Sequence, residues 1–74
     1  MKDQKRIVHL ALVNEEPVFV LRGQDLCAIK AMKAYLIECA DRGCSLEFLL
    51  DLRECITDFE AYQKEEGVLL KLPD

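Results

Sequence analysis

The 74-residue chain has room for one domain, and a chain of this size buries only roughly 60% of the surface that its unfolded form exposes. Its apolar fraction of 51% and charged fraction of 32% are those of a globular protein and exclude a disordered one. The net charge of −4, whose acidic excess lies in residues 25–74, argues against the clustered Lys and Arg that nucleic-acid binding needs.

The first residues give no sign of export or membrane insertion. Residues 1–6 are mostly charged and are expected to be frayed. The apolar run that follows, Ile7–Val13, is too short for a signal peptide and lacks a small-residue cleavage site. No apolar run approaches the roughly 18–20 residues of a membrane span. We therefore expect a soluble, cytoplasmic protein that forms one domain over residues 1–74.

The first third of the chain predicts a β-hairpin. Ile7–Val13 is apolar and rich in β-branched residues, which is typical of a strand. Asn14–Pro17 has turn composition, because Asn tolerates left-handed backbone and Pro fixes φ. Val18–Arg22 then returns as the second, antiparallel strand.

Two helices are predicted after the hairpin. The first runs from Asp25, its N-cap, to about Arg42, and Gly43 ends it. The second begins after its cap, Ser45, and continues to about Lys64. Helical spacing gives the first helix a buried face of Ala28, Ile29, Met32, Tyr35, Leu36 and Cys39, and the second a buried face of Phe48, Leu49, Leu52, Cys55, Ile56 and Phe59.

The predicted fold class is therefore α+β, with an antiparallel hairpin packed on two antiparallel helices in the order ββαα. The segment Val68–Pro73 is either a short third strand or a tail docked on a partner. Several apolar residues, in this segment and elsewhere, fall outside the predicted core. Because a domain this small tends to cover such surface with another subunit, we expect a homo-oligomer. The apolar residues that lie outside both the predicted core and the segment Val68–Pro73 are Leu26, Ile37, Leu46 and Leu50.

The candidate ligand site is the junction Arg22-Gly23-Gln24-Asp25. A guanidinium and the free N–H groups at a helix start can together hold a phosphate or carboxylate. Gly23 would permit close backbone approach or a positive φ, and Gln24 offers a donor and an acceptor to a base edge or a ribose. The structural alternative is that Gly23 makes a tight turn, Asp25 caps the helix, and Arg22 pairs with a glutamate across the hairpin, either Glu15 or Glu16.

Two other patterns receive a structural interpretation. Cys39 and Cys44, with His9, lack the second closely spaced pair of a structural zinc site, so we expect buried free thiols and no metal. No motif supports a Cys–His nucleophile, and we predict neither catalysis nor a cofactor.

Acidic residues also recur at helical intervals and form the solvated side of the second helix, although a basic partner could bind there. They are Glu47, Asp51, Glu54 and Asp58.

The stretch Glu16–Asp25 resembles the phrase E-P-V-F-V-L-R-x-Q-D of small, mostly uncharacterised phage and prophage proteins. These proteins are similar to this chain in length, in a helical pair after the phrase, and in an aromatic–Gln pair near the end, here Tyr62-Gln63. Their short terminal segment resembles Leu72-Pro73-Asp74, whereas the cysteine-rich helices are a departure from them. The resemblance implies a phage accessory role that counters host defence, either by sequestering a cyclic or ADP-ribose-type nucleotide or by blocking a host protein.

These observations lead to one functional hypothesis and one alternative. The hypothesis is a non-catalytic protein that sequesters an anionic nucleotide-like molecule at an oligomer interface through Arg22, Gly23 and Gln24. The alternative is an interaction module that inhibits a host factor through the acidic helix or the apolar tail.

Overall fold

The computed structural model describes residues 4–73, and its regular elements are helical. Three α-helices, α1 (Gln4–Val13), α2 (Ala28–Asp41) and α3 (Leu46–Glu65), are followed by a 3₁₀ turn at Gly67–Leu69. Within residues 4–73 there is no strand, and β-pairing is limited to one isolated bridge. The predicted α+β fold is therefore wrong, because the described chain is all-helical.

The predicted first strand is a helix. Residues 7–13 are almost all apolar, so the sequence fits an alternating pattern and a helical pattern equally well. Leu10, Ala11 and Leu12 are strong helix formers, and their preference outweighs the β-branched residues around them. Val8 and Ala11, three residues apart, are the positions that α1 turns inward. Residues 4–6 of the predicted frayed terminus belong to α1, and residues 1–3 lie outside the described part.

The predicted hairpin turn is the end of α1. The backbone N–H of Glu16 donates to the carbonyl of Ala11 at 2.8 Å, and that of Glu15 donates to Leu12 at 3.2 Å. Glu15 has a φ of 56°, so these bonds form a Schellman motif with Glu15 in the left-handed position. Pro17 follows directly and prevents the helix from continuing. A turn does occur at the predicted place, but residues 18–21 after it pair with no strand in the described residues.

The core lies between α2 and α3, which the short connection 42–45 joins as a helical hairpin. Met32, Leu52 and Ile56 form its buried centre, and Leu52 is only 2% exposed. Half-buried residues pack around that centre: Leu21, Ile29, Leu36, Phe48, Cys55 and Phe59. Most members of the predicted helical faces are buried or pack around this centre; Leu49 is half-buried and is not among the residues packed on it, and Tyr35 is exposed. Tyr35 is 54% exposed and meets only the edge of the core through a T-shaped contact with Phe48, at 6.5 Å between ring centroids.

Both ends of the α2–α3 connection have defined backbone geometry. Gly43 has a φ of 82° and ends α2 in a second Schellman motif. The Ser45 hydroxyl accepts a hydrogen bond from the Phe48 backbone N–H at 3.1 Å, the geometry of an N-cap. These two residues therefore set where the chain leaves one helix and enters the next.

Much apolar surface stays uncovered in the single chain. Among the described elements, extensive packing is confined to α2 and α3. On α1 the side chains of Ile7, Leu10, Leu12 and Val13 are exposed, and Phe19 beyond it is 86% exposed. Over residues 4–73, no helix combines the length and the apolar character needed to cross a membrane.

Candidate functional site

The Arg22–Asp25 junction forms a tight turn that two C-terminal segments hold in place. The backbone N–H of Asp25 donates to the carbonyl of Arg22 at 3.0 Å, which closes the turn. The end of α3 contacts this turn from one direction, and residues near Lys71 pair with it from another. The candidate site thus consists of residues from both ends of the sequence.

Gln63, near the end of α3, binds the turn through its amide. Its Nε2 donates to the carbonyl of Gly23 at 3.1 Å and to the carbonyl of Asp25 at 2.9 Å. Both bonds are partly buried, so the amide supplies a donor to the Gly23 carbonyl and a second donor to the Asp25 carbonyl, which also accepts from the Ala28 N–H. Gln63 therefore fixes the turn to α3.

The C-terminal segment pairs with the residues that follow the turn. The backbone N–H of Lys71 donates to the carbonyl of Gln24 at 2.9 Å, and the N–H of Leu26 donates to the carbonyl of Lys71 at 3.0 Å. These bonds make a single parallel bridge between Asp25 and Lys71. The third strand considered from the sequence is thus a 3₁₀ turn followed by one bridge, and the segment docks on its own chain.

Gly23 is in contact with the ring of Tyr62. A β-carbon built at Gly23 would lie 3.1 Å from Cδ1 of Tyr62, which is closer than ordinary contact. The φ of Gly23 is not positive. Among the described glycines, only Gly43 has a positive φ. The sequence offered two reasons for a glycine at position 23, a positive φ or close approach of another group. Close approach is the one that applies, and the approaching group is the Tyr62 ring.

The start of α2 differs from the prediction. The helix begins at Ala28, three residues after the predicted cap, and Cys27 occupies the N-cap position. The Asp25 carboxylate accepts from the Cys27 N–H at 2.7 Å, and the Asp25 carbonyl accepts from the Ala28 N–H at 3.1 Å. The N–H of Leu26 donates to Lys71, so the three successive N–H groups of residues 26–28 all donate within the chain. Asp25 caps the turn before the helix, and these N–H groups are not free for an anion as the sequence suggested.

Arg22 is the exposed cation of the site. It has no ion pair with any residue between 4 and 73, and the predicted pairing with Glu15 or Glu16 is lost together with the hairpin. Arg22 borders two adjoining depressions, of about 180 and 360 Å³, and Gln24 lines both. Val20, Asp25, Lys71 and Pro73 complete the smaller one, and Gly23, Asp58, Phe59 and Tyr62 complete the larger one.

The charges around Arg22 are mixed. Lys71 adds a second cation to the smaller depression, and Asp25 adds a carboxylate whose oxygen is already engaged by the Cys27 N–H. Asp58 adds a carboxylate to the larger depression, which the aromatic residues Phe59 and Tyr62 also line. A bound anion would therefore be favoured on the side of Arg22 and disfavoured near Asp58.

The cysteines do not form a metal site. All four are free thiols, but Cys27 and Cys44 are exposed, so the expectation that all are buried is wrong for this pair. Across residues 4–73, His, Cys, Asp and Glu side chains nowhere form a group of three that could hold a metal ion. His9 lies exposed on α1.

Sequence reasoning missed the role of three residues in this site: Tyr62, Gln63 and Lys71. The resemblance drew attention to the Tyr62-Gln63 pair, but nothing in its local pattern indicated that it contacts residues about 40 positions earlier. Lys71 contributes through its backbone, and a backbone hydrogen bond has no signature in the identity of the residue.

No family model, no curated protein and no solved structure matches this chain. The resemblance to phage proteins therefore remains an expectation, and the residues and geometry above support the proposal that follows.

Proposed function

We propose that this chain is a non-catalytic, phage-type accessory protein that binds and sequesters an anionic, nucleotide-like small molecule beside Arg22 at the interface of a homo-oligomer. The observation that supports this function best is the position of Arg22. It is exposed, it has no ion pair within residues 4–73, and it borders both depressions at the turn.

The groups around Arg22 match the parts of a nucleotide. A guanidinium binds phosphate oxygens through two parallel hydrogen bonds, which a lysine cannot reproduce. The rings of Phe59 and Tyr62 provide aromatic surface on which a base can stack. The Gln24 amide lines both depressions and can donate to and accept from a base edge or a ribose.

An oligomer interface would complete this site. Each depression is open in the single chain, and Val20, at the border of the smaller one, is exposed next to Phe19 in sequence. A second copy that covers these apolar side chains would also enclose a ligand bound at Arg22. Enclosure removes water from the ion pair and strengthens it.

The direct test replaces Arg22. We expect Arg22→Ala to weaken binding about ten- to a hundred-fold, the effect of losing a charge-assisted contact of roughly 1.5–3 kcal/mol. Arg22→Lys should recover only part of the affinity. Titration calorimetry against a panel of cyclic and ADP-ribose-type nucleotides measures the affinities, and thermal unfolding checks that the variants fold.

A matched control is Arg42→Ala. Arg42 is an exposed arginine at the end of α2 that pairs with Glu38, away from both depressions. Its loss should leave nucleotide affinity unchanged and alter stability little, since exposed ion pairs contribute little. Absence of binding by the wild-type protein to every nucleotide in the panel would refute the proposal.

A second candidate function is that of an interaction module that inhibits a host protein. It is favoured by the exposed apolar tail, where Val68 is 98% exposed, and by the acidic side of α3. In this case a host protein should co-purify with the chain. Glu47→Lys combined with Glu54→Lys, or Val68→Ser, should release that protein, whereas Arg22→Ala should not.

A further inference from the structure

The end of α2 brings two cysteines together. The backbone N–H of Cys44 donates to the carbonyl of Cys39 at 3.0 Å, and the N–H of Gly43 donates to Ala40 at 3.1 Å. With the φ of 82° at Gly43, these are the two bonds of a Schellman motif. The residues joined by the longer bond of this motif commonly have side chains in contact, and here both are cysteines.

The side chains at this position interact with one another. Desolvation, followed by a hydrogen bond to the Cys39 side chain, raises the pKa of the Cys44 thiol, although Cys44 is exposed. A hydrogen bond to Cys39 is also the main reason that the pKa of the Tyr35 hydroxyl is raised. Cys39 thus interacts electrostatically with both the Tyr35 hydroxyl and the Cys44 thiol.

We propose that Cys39 and Cys44 are a redox-sensitive dithiol that closes to an intramolecular disulfide across the Schellman motif at the end of α2. The backbone bond already fixes the two residues side by side, as the short Cα separation in a disulfide requires. Cys27 lies before the start of α2 and Cys55 lies within α3, so neither shares this motif.

The oxidant we assign is a small-molecule disulfide such as oxidised glutathione. The exposed Cys44 loses its proton to water, and its thiolate attacks one glutathione sulfur, so that a protein–glutathione bond forms and one glutathione thiolate leaves. The buried Cys39 then gives up its proton, attacks the Cys44 sulfur and displaces the second glutathione thiolate. Two protein thiols are oxidised, and one glutathione disulfide is reduced to two thiols.

This order follows from access and acidity. Cys44 is exposed and Cys39 is buried, so the external disulfide reaches Cys44 first. The raised pKa of Cys44 keeps its thiolate scarce at neutral pH, so the pair remains reduced under mild conditions and oxidises when the oxidant or the pH is raised.

The test is disulfide mapping of the full chain after incubation with oxidised glutathione at about pH 8.5, close to the pKa of an ordinary thiol. Remaining thiols are alkylated, and the digested peptides are analysed by mass spectrometry. We expect a Cys39–Cys44 link in roughly tenfold excess over any other pairing. This link lowers the mass by about 2 Da, and the exposed Cys27 can separately add one glutathione of about 305 Da. The same reaction in denaturant should lose this preference, because every pairing then becomes accessible.

Single replacements separate the two steps. Cys39→Ser should retain one glutathione on Cys44, a gain of about 305 Da on the peptide that carries Cys44, because the second thiol is missing. Cys27→Ser, the matched control that removes the other exposed thiol, should still form the internal link. Links that involve Cys27 or Cys55 in comparable yield, or a wild-type protein that stops at a glutathione adduct on Cys44, would overturn the proposal. If Cys39→Ser fails to fold, the disulfide map of the wild-type protein still tests the proposal.

Discussion

At the scale of single residues, the turn at Arg22–Asp25 depends on the absence of one side chain. A β-carbon at position 23 would lie 3.1 Å from the Tyr62 ring, so the ring or the turn would have to shift by a few tenths of an ångström. The ring in turn lines the larger depression beside Arg22. A change at Gly23 would therefore move either the turn or the ring, and both belong to the candidate site.

We expect Gly23→Ala to destabilise the protein by about 1–3 kcal/mol, the usual cost of forcing extra volume into a packed place, and Gly23→Val to cost more. Gly67→Ala is the matched control, because no atom lies within 4 Å of a β-carbon built there and its φ is not positive. Urea unfolding of both variants measures the difference. In a Tyr62→Ala background the penalty at Gly23 should largely disappear; a penalty that persists would show that the ring is not its cause.

At the scale of elements, α2 and α3 were predictable and α1 was not. Apolar residues recur every three or four positions along α2 and α3, and charged residues separate them, so only a helical period fits. In Ile7–Val13 the apolar residues are almost uninterrupted, and β-branched residues stand at both ends. The sequence pattern was ambiguous there, and the local helix preference of Leu10 to Leu12 decided the outcome.

The core prediction belongs to this scale. We expect Leu52→Ala to reduce the free energy of unfolding by about 2–5 kcal/mol, because it empties a site between α2 and α3. In so small a domain such a loss can abolish folding. Leu46→Ala, at an exposed position of the same helix, should change it by about 0.5 kcal/mol or less. Denaturant titration compares the two, and equal effects would place Leu52 outside the core.

Only the local part of the candidate site could be predicted from the sequence. Arg22, Gln24 and Asp25 could be selected because a cation, an amide and a capping carboxylate stand next to a glycine. The groups that hold them in place come from residues about 40 positions later. Pairings over such distances depend on how the elements pack, which a single sequence does not reveal when its first element is assigned to the wrong class.

At the scale of the whole molecule, uncovered apolar surface is the main feature. Phe19 follows α1 closely in the sequence, and both Phe19 and one side of α1 are exposed. The extensive packing among the described elements is between α2 and α3. Large exposed apolar patches on small proteins are commonly binding surfaces. This supports the prediction of a homo-oligomer.

We therefore expect light scattering at micromolar concentration to return a multiple of the 8.5 kDa chain mass. Leu12→Ser and Phe19→Ser remove apolar contact area and should shift the mass toward that of one chain. Ala61→Ser, at an exposed position of α3, should leave the mass unchanged. A wild-type mass of one chain would contradict the prediction.

The bridge between Asp25 and Lys71 also has a consequence for the time at which the site appears during synthesis. A ribosome adds about 5–20 residues per second, so roughly 2–9 s separate the addition of these two residues. During that interval Arg22 and Gly23 already exist, while Gln63 and Lys71 do not. α1 can form early because its hydrogen bonds are local, but the turn at Arg22–Asp25 acquires these partners only after Gln63 and Lys71 have been added. A nascent chain therefore cannot hold this turn in its final form until residues 63–71 have left the ribosome.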